Sequence, residues 1–188
     1  MTVETTEIEG LYVVHQPTHG DDRGFFRQTY VASGLEEALG RRPTFVQSNH
    51  ARSAPGVLRG FHAEPWDKLV YVVRGRVLAV IADIRPDSPT FGTALGFELG
   101  DGTDRKRLFV SEGLGNSYCV LGDEPADYLY DVTAEWSPGV DKRAVAWNDP
   151  TLDVDWPIDD PTLSDDDRDA PTLRDRFPDH ARFSGGTA

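Results

Sequence analysis

Between residues 68 and 149 the chain is a train of short apolar runs, broken at nearly every gap by Gly, Pro, Asp or Asn. The runs are KLVYVVRGRVLAVIADIR (68–85), ALGFELG (94–100), KRLFVSE (106–112), NSYCVLG (116–122), ADYLYDVT (126–133) and RAVAWND (143–149), with LYVV (11–14) upstream. Such runs, recurring every 8–12 residues or so with turn signals between them, are the pattern of strands in a sandwich or barrel. Within 68–85, Arg74-Gly75 divides two apolar halves and predicts a β-hairpin with glycine in the turn. Helical signal is sparse. SGLEEALG (33–40) predicts a short helix with Ser33 as its cap and Gly40 at its end. The Asp-, Pro- and Arg-rich tail predicts another beginning near Ser164, because Ser followed by acids marks a helix start. The 188 residues suffice for one sizeable core and not for two comfortable domains. The expectation is one all-β domain over 1–188, a jelly roll with a core over about 7–157, a few short helices and a loop-rich tail from 158 to 188.

The net charge of −13 argues against nucleic acid as a partner, because binding a phosphate backbone needs a basic surface. It leaves a single nucleotide possible, since a few local arginines suffice for one diphosphate. No stretch approaches the roughly 18 apolar residues that span a bilayer, and MTVETTEIEGLYVV at the N-terminus lacks a signal-peptide layout. The single cysteine, Cys119, forms no intrachain disulfide, so a cytoplasmic setting is expected. Its place in an apolar run predicts a buried, inert thiol.

The chemistry turns on His62, in VLRGFHAEPWDKLVYVVRGR. Small β-barrels often bind metal through closely spaced histidines and a carboxylate. Here Ala63-Glu64 follows His62, and His15, His19, His50 and His180 form no ligand spacing with it. Neither a metal nor another cofactor is expected. Acid–base chemistry suits the residues better. Tyr128 and Tyr130 share a strand face by period-two alternation. With His62 and Lys68 they offer an imidazole, an ammonium and a phenol, a set suited to removing a proton beside a carbonyl and returning it. An isolated strand histidine and a tyrosine pair are each common in purely structural roles too.

DDRGFF (21–26), QSNHARSAPGVLRGFH (47–62), KLVYVVRGRV (68–77), DIRPDSPTFG (83–92), FVSEGL (109–114), WNDPTLDVDWP (147–157) and LSDDD (163–167) together resemble the dTDP-4-dehydrorhamnose 3,5-epimerase family. The resemblance runs in order from about residue 7 to about residue 170. It implies a cupin-type jelly roll, no metal, a homodimer, and a dTDP-4-keto-6-deoxyhexose as substrate in deoxysugar or dTDP-rhamnose biosynthesis. It further implies that His62 is the catalytic base and that Asp167 orients it, with Asp165 and Asp166 as alternatives by register. Lys68 matches the lysine near the sugar C4 oxygen, and Tyr130 the tyrosine that returns the proton from the other side. Arg59, Gln47 and Asn49 match residues lining the sugar–diphosphate pocket, Arg23 and Phe26 nucleotide contacts reaching across from the partner subunit, and Trp136 an aromatic stacking on the thymine.

The chain departs from the family pattern in places. Asn116 stands where typical members have a histidine lining the site, and Gln28 where many have glutamate. Neither amide titrates near neutral pH or carries charge. The loop before Lys68 is shorter than in many relatives, and Asp131 follows Tyr130 where relatives often differ. These departures predict epimerisation with a preference for one of the two centres, C3 or C5. Two other readings stand beside it: a 3,4-ketoisomerase, which the retained Tyr130 and WNDP string disfavour, and a non-catalytic sugar-nucleotide binder.

Overall fold

The computed structural model describes residues 1–184; the last four residues of the expected tail, 185–188, lie outside the described residues. The strands are β1 (Thr2–Thr5), β2 (Leu11–His15), β3 (His19–Asp21), β4 (Gly24–Phe26), β5 (Gln47–Ser53), β6 (Leu58–Ala63), β7 (Lys68–Arg74), β8 (Arg76–Asp83), β9 (Ala94–Gly100), β10 (Arg107–Val110), β11 (Leu114–Leu121), β12 (Ala126–Val132) and β13 (Arg143–Val145). The helices are α1 (Ala32–Leu39), α2 (Asp165–Arg168), α3 (Leu173–Arg176) and α4 (Ala181–Ser184). A six-stranded sheet has the order β1-β2-β10-β7-β12-β5 and a five-stranded sheet the order β13-β6-β11-β8-β9. β3 and β4 form a separate hairpin. From β5 to β8, and again from β10 to β13, successive strands alternate between the two sheets. This is the jelly-roll plan, mostly β with a few short helices.

Burial explains why several runs are apolar throughout instead of alternating. On β8, Val77, Ala79 and Ile81 face the core between the sheets, where they meet Val70, Val72, Leu108 and Tyr128. Val80 and Ala82 face the other way, into a second apolar layer with Trp156 and Leu173. The five-stranded sheet is thus covered on both faces, the outer one by the C-terminal segment. Asp149 anchors that segment, accepting hydrogen bonds from the backbone of Thr151, Leu152 and Leu173. The six-stranded sheet is covered outside by α1, whose Leu35 packs on Val14, Leu69 and Phe109. Full burial of one leucine contributes about 1.5–3 kcal/mol.

Two local expectations are corrected. Residues 68–85 are not a hairpin: β7 pairs with β10 and β12, whereas β8 pairs with β9 and β11. One residue, Gly75, separates the two strands, too few to reverse the chain, so it turns a corner from one sheet to the other. Gly75 has φ +74°, and a Cβ there would lie 2.5 Å from the Pro125 carbonyl oxygen. Likewise, Ser33 does not cap α1. The N-cap position is Val31, with no side-chain bond, and Ser33 lies inside the first turn. The helix is held by its packing on the sheet, and Gly40 ends it in the left-handed region at φ 67° as expected.

The predicted runs 106–112 and 143–149 shorten to β10 and β13, and β1, β3, β4, β5 and β6 are strands beyond the predicted set. β5 escapes a hydrophobicity pattern because QSNHARS is polar on both faces, with only Ser53 buried. Cys119 is buried, and burial pushes its thiol up to about 11, which makes it inert. Among the described residues no helix is long and apolar enough to cross a membrane.

Candidate active site

The site begins with an irregularity in β6. Asn116 of β11 lies opposite His62, and Tyr118 opposite Arg59, so β6 takes three steps where β11 takes two. That is a β-bulge. On a regular strand, residues three apart point to opposite faces; the bulge turns Arg59 and His62 into one cavity. Gly60 lies within it. A Cβ at Gly60 would sit 2.9 Å from the Asp167 Oδ1, so the missing side chain is what lets α2 approach β6 this closely.

His62 Nε2 and Asp167 Oδ1 are 2.6 Å apart, and the Asp167 side chain is almost fully buried. Ser164 caps α2. Its hydroxyl accepts from the Asp167 backbone N–H at 3.2 Å and donates to Asp167 Oδ2 at 2.8 Å. Burial alone would push the Asp167 carboxyl up. Hydrogen bonds from His62, Ser164 and the Gly60 backbone, together with the imidazole's charge, outweigh it and hold the carboxyl below its usual range. An ionised Asp167 accepts from Nε2–H and leaves Nδ1 as the basic nitrogen of the neutral ring. Of the three consecutive acids, Asp165 pairs with Arg168 on the surface and Asp166 is exposed, so register selects Asp167.

The opposite wall comes from the six-stranded sheet. Lys68, the first residue of β7, is 3% exposed. Its Nζ donates to the His62 carbonyl oxygen at 3.1 Å and forms an ion pair with Glu64. Burial lowers the affinity of Lys68 for its proton, and Glu64 opposes that. Tyr130 of β12 lines the cavity; burial, then the Glu64 charge, pushes its phenol up, so it keeps its proton across a wide pH range.

The floor is a phenol and amide network. The Tyr128 hydroxyl donates to Asn116 Oδ1 at 2.8 Å, and the Tyr128 ring stacks on Tyr118 with centroids 4.0 Å apart. The Tyr118 and Ser53 hydroxyls are 2.9 Å apart, and Arg59 Nε donates to Ser53 Oγ at 3.2 Å. Asn116 is thereby fixed beside His62, and its amide N–H groups have no partner among the described residues.

The structure thus brings His62, Asp167, Lys68, Tyr130, Arg59 and Asn116 together. Gln47 and Asn49 lie along β5, Asn49 directly across from Tyr130. Gln47 Nε2 donates to Asn49 Oδ1 at 2.8 Å, and Gln47 Oε1 accepts from the backbone N–H of Trp136 at 2.9 Å, with the Trp136 ring exposed. Arg23 and Phe26 sit on the exposed β3–β4 hairpin, where Arg23 is engaged by Asp21, and Gln28 is exposed just beyond it. None of these last six lines the cavity of its own chain. The cavity is small, about 80 Å³. A larger hollow of about 420 Å³ beside the hairpin holds no comparable acid–base set.

Sequence reasoning missed Gly60, Ser164 as a partner of Asp167, Glu64, Ser53 and Tyr118. Ser164 was legible: Ser with an acid three residues on is capping-box spacing, and it also singles out Asp167. Glu64 at four residues from Lys68 carries no such signal, because the two lie on a loop and a strand. Among the described residues no three His, Cys, Asp or Glu side chains converge as a metal site would require.

The model of the dTDP-4-dehydrorhamnose 3,5-epimerase family matches residues 5–175. The chain belongs to this family. A dTDP-4-dehydrorhamnose 3,5-epimerase of Shigella flexneri is 40% identical over 171 residues, covering 89% of this chain and 93% of that protein. The crystal structure of NovW, a 4-keto-6-deoxy sugar epimerase from the novobiocin biosynthetic gene cluster of Streptomyces spheroides, superposes with a TM-score of 0.90 at 34% identity. The match covers 95% of this chain and 90% of that one. ChmJ, a 3'-monoepimerase from Streptomyces bikiniensis solved with dTDP-quinovose, gives a TM-score of 0.85 at 31% identity, covering 93% and 90%. The family therefore includes proteins named as double and as single epimerases, and its fold is the cupin-like jelly roll described above.

Proposed function

We propose that this chain is an isomerase that epimerises a dTDP-4-keto-6-deoxyhexose, in the dTDP-rhamnose or a related deoxysugar route, without a metal or other cofactor. The observation that carries the proposal is the His62–Asp167 pair at 2.6 Å on one wall of a cavity whose other wall presents Tyr130 and Lys68. A C4 ketone acidifies the neighbouring ring hydrogens, but the enolate needs help. His62 removes the proton, and the Asp167 carboxylate holds the ring's tautomer and stabilises the imidazolium that forms. The Lys68 ammonium faces the developing oxyanion, an electrostatic contribution often worth a few kcal/mol. Tyr130 returns a proton from the opposite wall, and delivery to the other face inverts the centre. Arg59 and Asn116 donate hydrogen bonds to the bound sugar nucleotide.

The proposal extends to assembly. Arg23, held by Asp21, and Phe26 stand on a hairpin away from their own cavity and complete a neighbour's nucleotide site, so the active unit is a homodimer. Trp136, whose ring is exposed beside Gln47, stacks on the base in this reading. The test is incubation with dTDP-4-keto-6-deoxyglucose in deuterated water, with label located by NMR. The wild-type protein exchanges at C3, C5 or both; His62→Ala exchanges at neither while retaining its fold. Near wild-type exchange in that variant would remove His62 from the base role, and movement of the carbonyl to C3 would mean a ketoisomerase instead.

A further inference from the structure

Lys68 is a buried cation with three N–H donors. One goes to the His62 carbonyl oxygen at 3.1 Å and one to the Glu64 carboxylate; the third has no partner among the described residues. Both Lys68 and Glu64 line the cavity that holds His62 and Tyr130. The Glu64 side chain is only 15% exposed, so its charge acts through a poorly screened environment. An isolated ammonium this deeply buried is far from stable and tends to shed its proton.

We propose that Glu64 is a positioning residue for the reaction: it keeps Lys68 charged inside the cavity and, with the His62 carbonyl, aims its third N–H at the substrate carbonyl oxygen. This rests on the epimerase reading above. Removing the acid's charge while keeping its shape leaves an ammonium with nothing to offset burial. Other charged and titratable groups bear on the same point. Lys142 lowers the proton affinity of Lys68 further, while His62, Arg59, Tyr118 and Tyr130 face the cavity from β6, β11 and β12. Glu64 also keeps the proton on Tyr130, so its loss moves both groups in the same direction, toward deprotonation at lower pH.

The experiment combines kinetics with a direct titration. The chain has three lysines, Lys68, Lys106 and Lys142. The three ¹³Cε signals of ¹³C-lysine-labelled protein are therefore assignable with Lys106→Arg and Lys142→Arg variants. In Glu64→Gln the Lys68 signal should titrate at a pH lower by about one unit or more, roughly a tenfold change in protonation equilibrium. The basic limb of kcat/KM should move down with it. An unmoved Lys68 midpoint, or a shifted midpoint with an unmoved kinetic limb and a uniform loss of rate, would overturn the proposal. Glu64→Met serves the same comparison if the glutamine variant does not fold. Wild-type protein that exchanges no deuterium would sink the epimerase reading instead, while the lysine titration would still judge the ion pair.

Discussion

Gly60→Ala tests the site without replacing any group assigned to the chemistry. The added methyl would sit 2.9 Å from Asp167 Oδ1 and 3.3 Å from its Cγ, whereas ordinary carbon–oxygen contact is about 3.4 Å or more, so the carboxylate must retreat by roughly half an ångström. It cannot swing freely, because Ser164 holds its other oxygen at 2.8 Å. The retreat therefore lengthens the 2.6 Å bond to His62. A hydrogen bond to a charged group contributes about 1.5–3 kcal/mol, and most of this one matters when the imidazolium forms. Losing about 1.4–2.8 kcal/mol of transition-state stabilisation slows the reaction roughly 10- to 100-fold. The folded state loses much less, about 1 kcal/mol, or roughly 2–4 °C in melting temperature for a chain of this size. The assay is the initial rate of solvent deuterium entry into dTDP-4-keto-6-deoxyglucose, with thermal unfolding alongside. A wild-type rate in Gly60→Ala would show that the close approach of α2 to β6 is not needed for catalysis. A rate loss accompanied by global unfolding would place the glycine in the fold alone.

Arg23→Ala should weaken dTDP binding in calorimetry while leaving the bound-state exchange rate within a few-fold, and sedimentation should show a dimer; a fully active monomer would refute the shared site. Asn116 and Gln28 are neutral at positions where the family resemblance implies titratable or charged groups, so deuterium should enter one of C3 and C5 faster than the other. Equal rates at both carbons, with dTDP-4-keto-L-rhamnose as product, would contradict this. The Asp167 carboxyl is held below its ordinary range in the fold. Its contribution to stability is therefore present above the unfolded value of about 3.9 and is lost as pH falls through the lower folded value. In urea titrations the advantage of wild type over Asp167→Asn should be full at pH 7 and shrink at pH values well below 3.9; a difference constant across that range would count against an ionised Asp167.

Local order was legible in the residues because short-range physics decides it. Spaced apolar runs announced β2 and β7 to β13, though not β1 or β3 to β6; Gly40 announced the end of α1, and Ser164 followed by acids the start of α2. The family strings, matched residue by residue, pointed to His62, Lys68, Tyr130 and the aspartate cluster. What the residues did not announce is who meets whom. The run 68–85 reads locally as a hairpin, yet Gly75 turns a corner and sends β7 and β8 to different layers, whose apolar faces meet in the core between the sheets. The spacing of Arg59 and His62 puts them on opposite faces of a regular strand, and only the bulge against β11 brings them together. The choice among Asp165, Asp166 and Asp167 is made by where the C-terminal segment docks, with Leu173 buried and Asp149 receiving its backbone. Glu64 became a partner of Lys68 because the chain crosses from β6 to β7 at the cavity's edge, forcing two opposite charges into the same buried space. Propensity acts over a few residues, whereas pairing partners are fixed by burial between segments as much as a hundred residues apart, as for His62 and Asp167. The apolar strands are therefore largely properties of the sequence, whereas the polar strands, several strand ends and the candidate constellation are properties of the packed sheets.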